Sequence, residues 1–319
     1  MYLNGCELYR SAATINRQQF CRITSPRGLS GLTLYFLLQA FILSVVSPVY
    51  GASMKSPPVV LVFAGHDPSG GAGLQADIEA LASQGCQAAT VITALRVQDP
   101  QEVQDVRPLE AVDVIAAARA VLEDMPVAVF KLGMPGSVQN IEAIHTILSD
   151  YPDIPVVFDP VLASGVGTGL GGQEVVEAMR ILLLPVTTVL TPNSLEAHAL
   201  ARGADTLDAC ALSLLEDGVE YALVTGTHEN TRHVENRLYH ENRLLETFTW
   251  ERLPESYHGS GCTLASSLAG LLAQGLDPFA AAHEAQDYTW NALRHGYRPG
   301  LGQHMPNRLF WARGDDSTD

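Results

Sequence analysis

From Pro57 onward, short β-branched runs alternate with segments of helical period, and this alternation limits the possible folds more than any other feature. The runs are PPVVLVFAG, QAATVITAL, MPVAVFKLG, IPVVFDPV, VTTVLTPN and YALVTG. Strands this uniformly apolar are covered on both faces, which is the condition of a parallel sheet between helices. Between them, Leu74, Ile78 and Leu81 recur at helical spacing, as do Val114, Ala118, Val121 and Leu122, then Ile141, Ile144 and Leu148; these are read as core faces. After YALVTG the pattern becomes HVENRLYHENRLLETFTWERL, two alternating stretches around a polar turn, which predicts an appended antiparallel hairpin. Two helices follow, CTLASSLAGLLAQG and DPFAAAHEAQDYTWNALRHG, the second opening at the start signal Asp277-Pro278. The expected architecture is α/β: one doubly wound, mostly parallel sheet flanked by helices over 54–319, with ligands at the C-terminal strand ends.

Residues 1–53 read differently. The run LTLYFLLQAFILSVV follows several arginines and resembles a signal peptide or a short membrane anchor. Met54-Lys55 stands immediately before the first strand, where an ordinary cytoplasmic chain can begin, so 1–53 is treated as an extension outside the fold.

Charge narrows the partners. With 19 Lys plus Arg against 35 Asp plus Glu, the formal charge of −16 opposes nucleic acid and anionic membrane surfaces. An anionic ligand must then be held by local donors, such as backbone amides at helix starts. Five scattered cysteines without a CxxC pair signal neither a disulfide scaffold nor a zinc site, and fit a reducing compartment. His283-Glu284 lacks the second histidine of a metalloprotease motif.

The distinctive segments fall where strands end. In AGHDPSGGAGLQAD, Gly65 ends a strand, and Gly70, Gly71 and Gly73 let the backbone approach a ligand at the start of a helix over Ala72 to Ser83. It is not a Walker A loop, since no Lys then Ser or Thr follows the second glycine; a ligand-free turn is the alternative. In TALRVQDP, Gln98 offers one acceptor and two donors suited to a heterocycle edge. KLGMPG brings Lys131 and Met134 to a strand end, either as an aromatic-ring cover or as helix-entry packing. DPVLASGVGTGLGG begins with Asp159, a carboxylate suited to Mg²⁺ or a phosphate. Its Gly167, Gly169 and Gly172 formally fit GxGxxG, but Thr191-Pro192-Asn193 stands where a dinucleotide site needs an acidic residue. In TPNSLEA, Asn193 and Glu196 lie three apart across a helix start, as a Mg²⁺-organising pair or as a plain capping arrangement. In HGSGCTL, the Gly259, Ser260, Gly261 and Cys262 amides converge at a helix start as an anion hole, and Cys262 there is expected to have a lowered thiol pKa.

Taken together and in order, AGHDPSGGAGLQAD, TALRVQD, KLGM, DPV, TPNSLEA and HGSGCTLASS resemble the hydroxymethylpyrimidine/phosphomethylpyrimidine kinases of thiamine biosynthesis, within the ribokinase superfamily. The resemblance spans Pro57 to Trp311. It implies a ribokinase-like sheet, a cytoplasmic homodimer, ATP and Mg²⁺, and phosphorylation of the pyrimidine alcohol and then of its monophosphate. It sets Gln98 against the pyrimidine, with Gly65, Asp77, Met134 and Val161 on the substrate side. Asp159, Asn193, Glu196 and Thr225 fall on the ATP and Mg²⁺ side, with Mg²⁺ organised by Asn193 and Glu196 through water. Gly259, Ser260, Gly261 and Cys262 form the anion hole, and Cys262 is the candidate base. Two departures stand out: Thr225-Gly226-Thr227-His228 replaces a common KGGH, and Leu162-Ala163-Ser164 follows DPV where lysine is frequent. The rivals are a pyridoxal or pyridoxine kinase, a cysteine hydrolase built on Cys262 and His258, and a kinase-like binding protein.

Overall fold

The computed structural model describes residues 56–98, 103–162 and 172–312. Six parallel strands carry the six apolar runs: β1 (Val59–His66), β2 (Gln87–Gln98), β4 (Val127–Leu132), β5 (Val156–Phe158), β6 (Val189–Leu190) and β7 (Tyr221–Val224). β3 (Val103–Pro108) and the hairpin of β8 (His233–His240) and β9 (Arg243–Glu251) are antiparallel. The order is β3-β2-β1-β4-β5-β6-β7-β8-β9. The helices are α1 (Gly73–Ser83), α2 (Ala111–Asp124), α3 (Val138–Ser149), α4 (Gln173–Ala178), α5 (Ser194–Leu200), α6 (Leu207–Glu216), α7 (Ser260–Ala273) and α8 (Pro278–Arg294).

The unbroken apolar character of β1 has a direct cause. Val59, Leu61 and Phe63 enter one core with Val114 of α2, Ile141 and Ile144 of α3, and Leu214 of α6. Val60, Val62 and Ala64 enter the other, against Leu81 of α1, Leu268 of α7 and Ala282 of α8. Val59 to Ala64 are therefore each buried on one side or the other, as two helical layers require. Ile78 departs from the expected core stripe of α1 and is 41% exposed, because Leu74, Ala80 and Leu81 already carry the buried face.

The hairpin turns at Glu241 and Asn242, both with positive φ (49° and 56°), as the tight turns that match strand twist demand. β3 was not anticipated: β2 continues to Gln98 and pairs there with β3. The helix expected after Gly172 is α-helical only to Ala178, then widens into a π-turn over Met179–Leu183 and a 3₁₀ turn containing Pro185.

From β1 the chain moves to β2 on one side, while β4 flanks β1 on the other. This change of winding direction opens a crevice at the C-terminal ends of β1 and β4. Gly65 and Met134 lie there. No helix among the described residues is long and apolar enough to cross a membrane; 1–53 lies outside the described residues.

Candidate active site

Two glycine loops meet above the crevice. Asp67 organises the first: its Oδ1 accepts from the Ser69 amide (2.9 Å) and hydroxyl (2.8 Å), and its Oδ2 accepts from the Ala72 amide at 2.9 Å. His258 Nε2 stands 2.7 Å from Asp67 Oδ2, joining this loop to the one before α7. Burial alone would raise the Asp67 pKa, but the His258 and Ser69 hydrogen bonds outweigh it and bring the pKa down to about 2. Arg308 fastens both loops from the C-terminal segment, donating to Thr263 Oγ1 (2.9 Å), Glu79 Oε2 (3.0 Å) and the Gly71 carbonyl.

Gly259 precedes α7 in the left-handed region (φ 85°), and a Cβ there would lie 1.8 Å from the Gly71 carbonyl oxygen. Only glycine permits that turn and that approach. The Thr263 amide closes the first turn on the Gly259 carbonyl at 3.0 Å. The Ser260, Gly261 and Cys262 amides precede it, in positions with no partner inside the helix. A Cβ on Gly261, in the middle of this stretch, would lie 3.7 Å from Asp159 Oδ1. The start of α7 and the Asp159 carboxylate are thus neighbours.

Cys262 behaves otherwise than expected. Its thiol is hydrogen-bonded to Asp159, and burial together with the Asp159 charge pushes its pKa up to about 12, against a smaller opposing pull from Lys131. The helix start does not overcome desolvation beside a carboxylate. Cys262 is therefore a thiol near neutral pH, directed at Asp159, while His258 Nε2 is engaged by Asp67. This arrangement argues against the cysteine hydrolase reading.

Asp77, expected on the substrate side, is instead fully buried in an ion pair with Lys131 Nζ at 2.8 Å. Its Oδ1 also accepts from the Ser266 hydroxyl of α7 at 2.6 Å. Enclosed by α1, β4 and α7, the Asp77 side chain is engaged through Oδ1 by Lys131 and Ser266.

The remaining substrate-side residues do assemble. A Cβ on Gly65 would lie 2.7 Å from Met134 Cε, and Met134, Ala94, Val106 and Val161 form a small apolar cluster. Arg96, which sequence reasoning passed over in favour of Gln98, is buried here, and its guanidinium lies 3.1 Å from Met134 Sδ. Its only sequence signal is a charged residue inside an otherwise apolar strand run. Gln98 ends β2, and its side chain lies outside the described residues.

On the other flank, Asn193 and Glu196 form a full capping box at the start of α5. Asn193 Oδ1 accepts from the Glu196 amide, and Glu196 Oε2 accepts from the Asn193 amide, both at 2.9 Å. Asn193 is thus committed to orienting Glu196. Thr225 joins them: it bridges to Asn193, and its carbonyl accepts from the Ser194 amide at 3.1 Å. Burial, then the Asp159 charge, push the Glu196 pKa up to about 8; burial also raises that of Asp159 despite Lys131. Among the described residues no cluster of three His, Cys, Asp or Glu side chains is arranged to ligate a metal directly. Two buried carboxylates, the charge of Asp159 raising the pKa of Glu196 and Asp159 Oδ2 having no hydrogen-bond partner, nonetheless suit a hydrated divalent cation. Ala163, Ser164, Gly167 and Gly169 lie outside the described residues, and Gly172 precedes α4.

Comparison with known proteins agrees with this geometry. The family model described as "Phosphomethylpyrimidine kinase" matches residues 67–307. The chain is 35% identical over 265 residues to the hydroxymethylpyrimidine/phosphomethylpyrimidine kinase of Streptomyces coelicolor, covering 82% of this chain and 97% of that protein. It is 34% identical over 264 residues to the thiamine biosynthetic bifunctional enzyme TH1 of Arabidopsis thaliana; that match takes in 79% of this chain and half of the larger protein. Among solved structures, the ADP complex of Bacillus subtilis pyridoxal kinase superposes with a TM-score of 0.74 at 26% identity, covering 81% of this chain and 99% of that one. The chain belongs to the phosphomethylpyrimidine kinase family.

Proposed function

We propose that this kinase transfers the γ-phosphoryl group of ATP to 4-amino-5-hydroxymethyl-2-methylpyrimidine and then to its monophosphate, giving the diphosphate used in thiamine synthesis. One observation supports the reading: the Gly65–Met134–Val161 cluster adjoins Asp159 through the turn in which the Val161 amide donates to the Asp159 carbonyl at 2.9 Å, and Gly261 at the start of α7 lies beside the same Asp159, to which Cys262 is hydrogen-bonded. Met134 and Val161 cover an aromatic ring, and Gln98 reads its edge. The Gly259, Ser260, Gly261 and Cys262 amides hold the transferred group as its charge develops. Asp159, Glu196 and Thr225 form the nucleotide side, where Asn193 holds Glu196 in position. Mg²⁺, when bound near Asp159 and Glu196, neutralises phosphate charge. Cys262 takes the proton of the attacking hydroxyl as its own thiol proton passes to the Asp159 carboxylate to which it is hydrogen-bonded. The second substrate carries an ionised phosphate and needs no base. The unpaired cysteines Cys86, Cys210 and Cys262 fit action in a reducing cytoplasm, and exposed Ile92 and Leu95 on β2 fit burial in a homodimer.

The test is ADP release by the full chain and its Cys262→Ala variant. The variant is expected to lose about 100-fold or more on the alcohol and much less on the monophosphate. Equal turnover of the alcohol by both proteins removes Cys262 as the base. The structural likeness to pyridoxal kinase favours one second reading, phosphorylation of pyridoxine, which the same assay covers.

A further inference from the structure

Lys131 and Asp77 are both fully buried, and their pairing lies outside every role assigned above. Burying two charges is expensive, and apolar residues of the same volume commonly serve stability as well or better. The pair also leaves Asp77 Oδ2 without a hydrogen-bond partner. Its position, however, is specific. Asp77 comes from α1, immediately after the first glycine loop, and Lys131 from the end of β4, two residues before Gly133. Ser266 comes from α7, one turn beyond Cys262. A Cβ on Gly133 would lie 3.1 Å from Lys131 Nζ, so the ammonium sits at the floor of the crevice. Lys131 also exerts the largest opposing charge effect on both Asp159 and Cys262.

We propose that Lys131 is a positioning residue for phosphoryl transfer: locked to Asp77, and through it to Ser266, it fixes the first turns of α7 and holds a positive charge beneath Asp159. The strut joins the three elements whose ends form the site. A shift of α7 along its axis breaks the Ser266 contact, so the amides at its start stay in register with Asp159. The inference rests on the reading of those amides as the phosphoryl cradle.

Four proteins test it, each measured for kcat, for KM toward ATP and hydroxymethylpyrimidine, and for melting midpoint. Ser266→Ala removes one hydrogen bond to a charged group and is expected to lower kcat about tenfold with little change in either KM. Lys131→Met combined with Asp77→Asn keeps the volume and removes both charges. It is expected to melt at or above the wild-type temperature while kcat falls about 100-fold. A purely structural pair gives the opposite pattern, altered melting with wild-type kcat per folded molecule, and that result overturns the proposal. Should the double variant fail to fold, Ser266→Ala decides alone: wild-type kcat there ends the strut. Gly261→Ala keeps the amide but sets a methyl between the start of α7 and Asp159, 3.7 Å from Asp159 Oδ1, in the space where the cradle reading puts the transferred group, and so separates the two readings. Full activity of Gly261→Ala defeats the cradle itself, whereas impairment there with wild-type kcat in the other two variants defeats the strut only.

Discussion

Among single residues, Glu196 shows how a site is held in tension. Its folded-state pKa of about 8 exceeds the ordinary 4.5, so the folded protein keeps a proton that the unfolded chain releases. Stability from this group is therefore greatest below about pH 4.5 and declines as pH rises toward 8. Glu196→Gln keeps the capping box while removing the charge. The variant should melt higher than wild type at pH 8, by about 2–4 °C for each kcal/mol relieved, and the two should converge toward pH 5. Its turnover should fall, since the carboxylate is proposed to serve the nucleotide side. Gly259 is constrained from the opposite direction. Gly259→Ala should lose about 1–2 kcal/mol from the left-handed backbone alone, and more from the collision with Gly71, read as a lower midpoint in thermal unfolding.

At the level of elements, the two glycine loops form one unit because Asp67 and His258 link them. Asp67→Ala leaves the Ala72 amide and the His258 ring nitrogen without their acceptor, a loss of about 1–3 kcal/mol. Urea unfolding should register it, and KM for both substrates should rise as the loops separate. In wild type, the low Asp67 pKa contributes stability that is complete above pH 3.8 and lost as pH falls toward 2. Elements were also where sequence reading worked best. All six parallel strands, the hairpin and the start of α8 at Asp277 are local patterns, and they form where the patterns lie. β3 escaped because its partner is the tail of β2, and short alternating segments carry little periodicity of their own. The helix start at the α7 glycines was legible because backbone chemistry decides it, whereas the surroundings of Asp77 and Cys262 were not, because burial decides them. Asp77 looked like a ligand-facing acid because nothing local discloses that Lys131 and Ser266 close around it. Cys262 looked activated because a helix start is visible in sequence and a neighbouring Asp159 is not.

For the molecule as a whole, the formal charge of −16 opposes phosphate binding through the general field, so the proposed function relies on backbone amides and a few enclosed cations. The helices on both sheet faces leave the C-terminal strand ends as the natural ligand entrance. Exposed Ile92 and Leu95 belong to the same scale: light scattering should give twice the chain mass, and replacing both with serine should shift the population toward monomer. The most direct measurement of the central claim is ADP release by the full chain with Mg²⁺-ATP and, separately, hydroxymethylpyrimidine, its monophosphate and pyridoxine. The expected result is turnover of both pyrimidines with a higher kcat/KM than pyridoxine. A higher kcat/KM for pyridoxine, or no turnover of either pyrimidine, contradicts it.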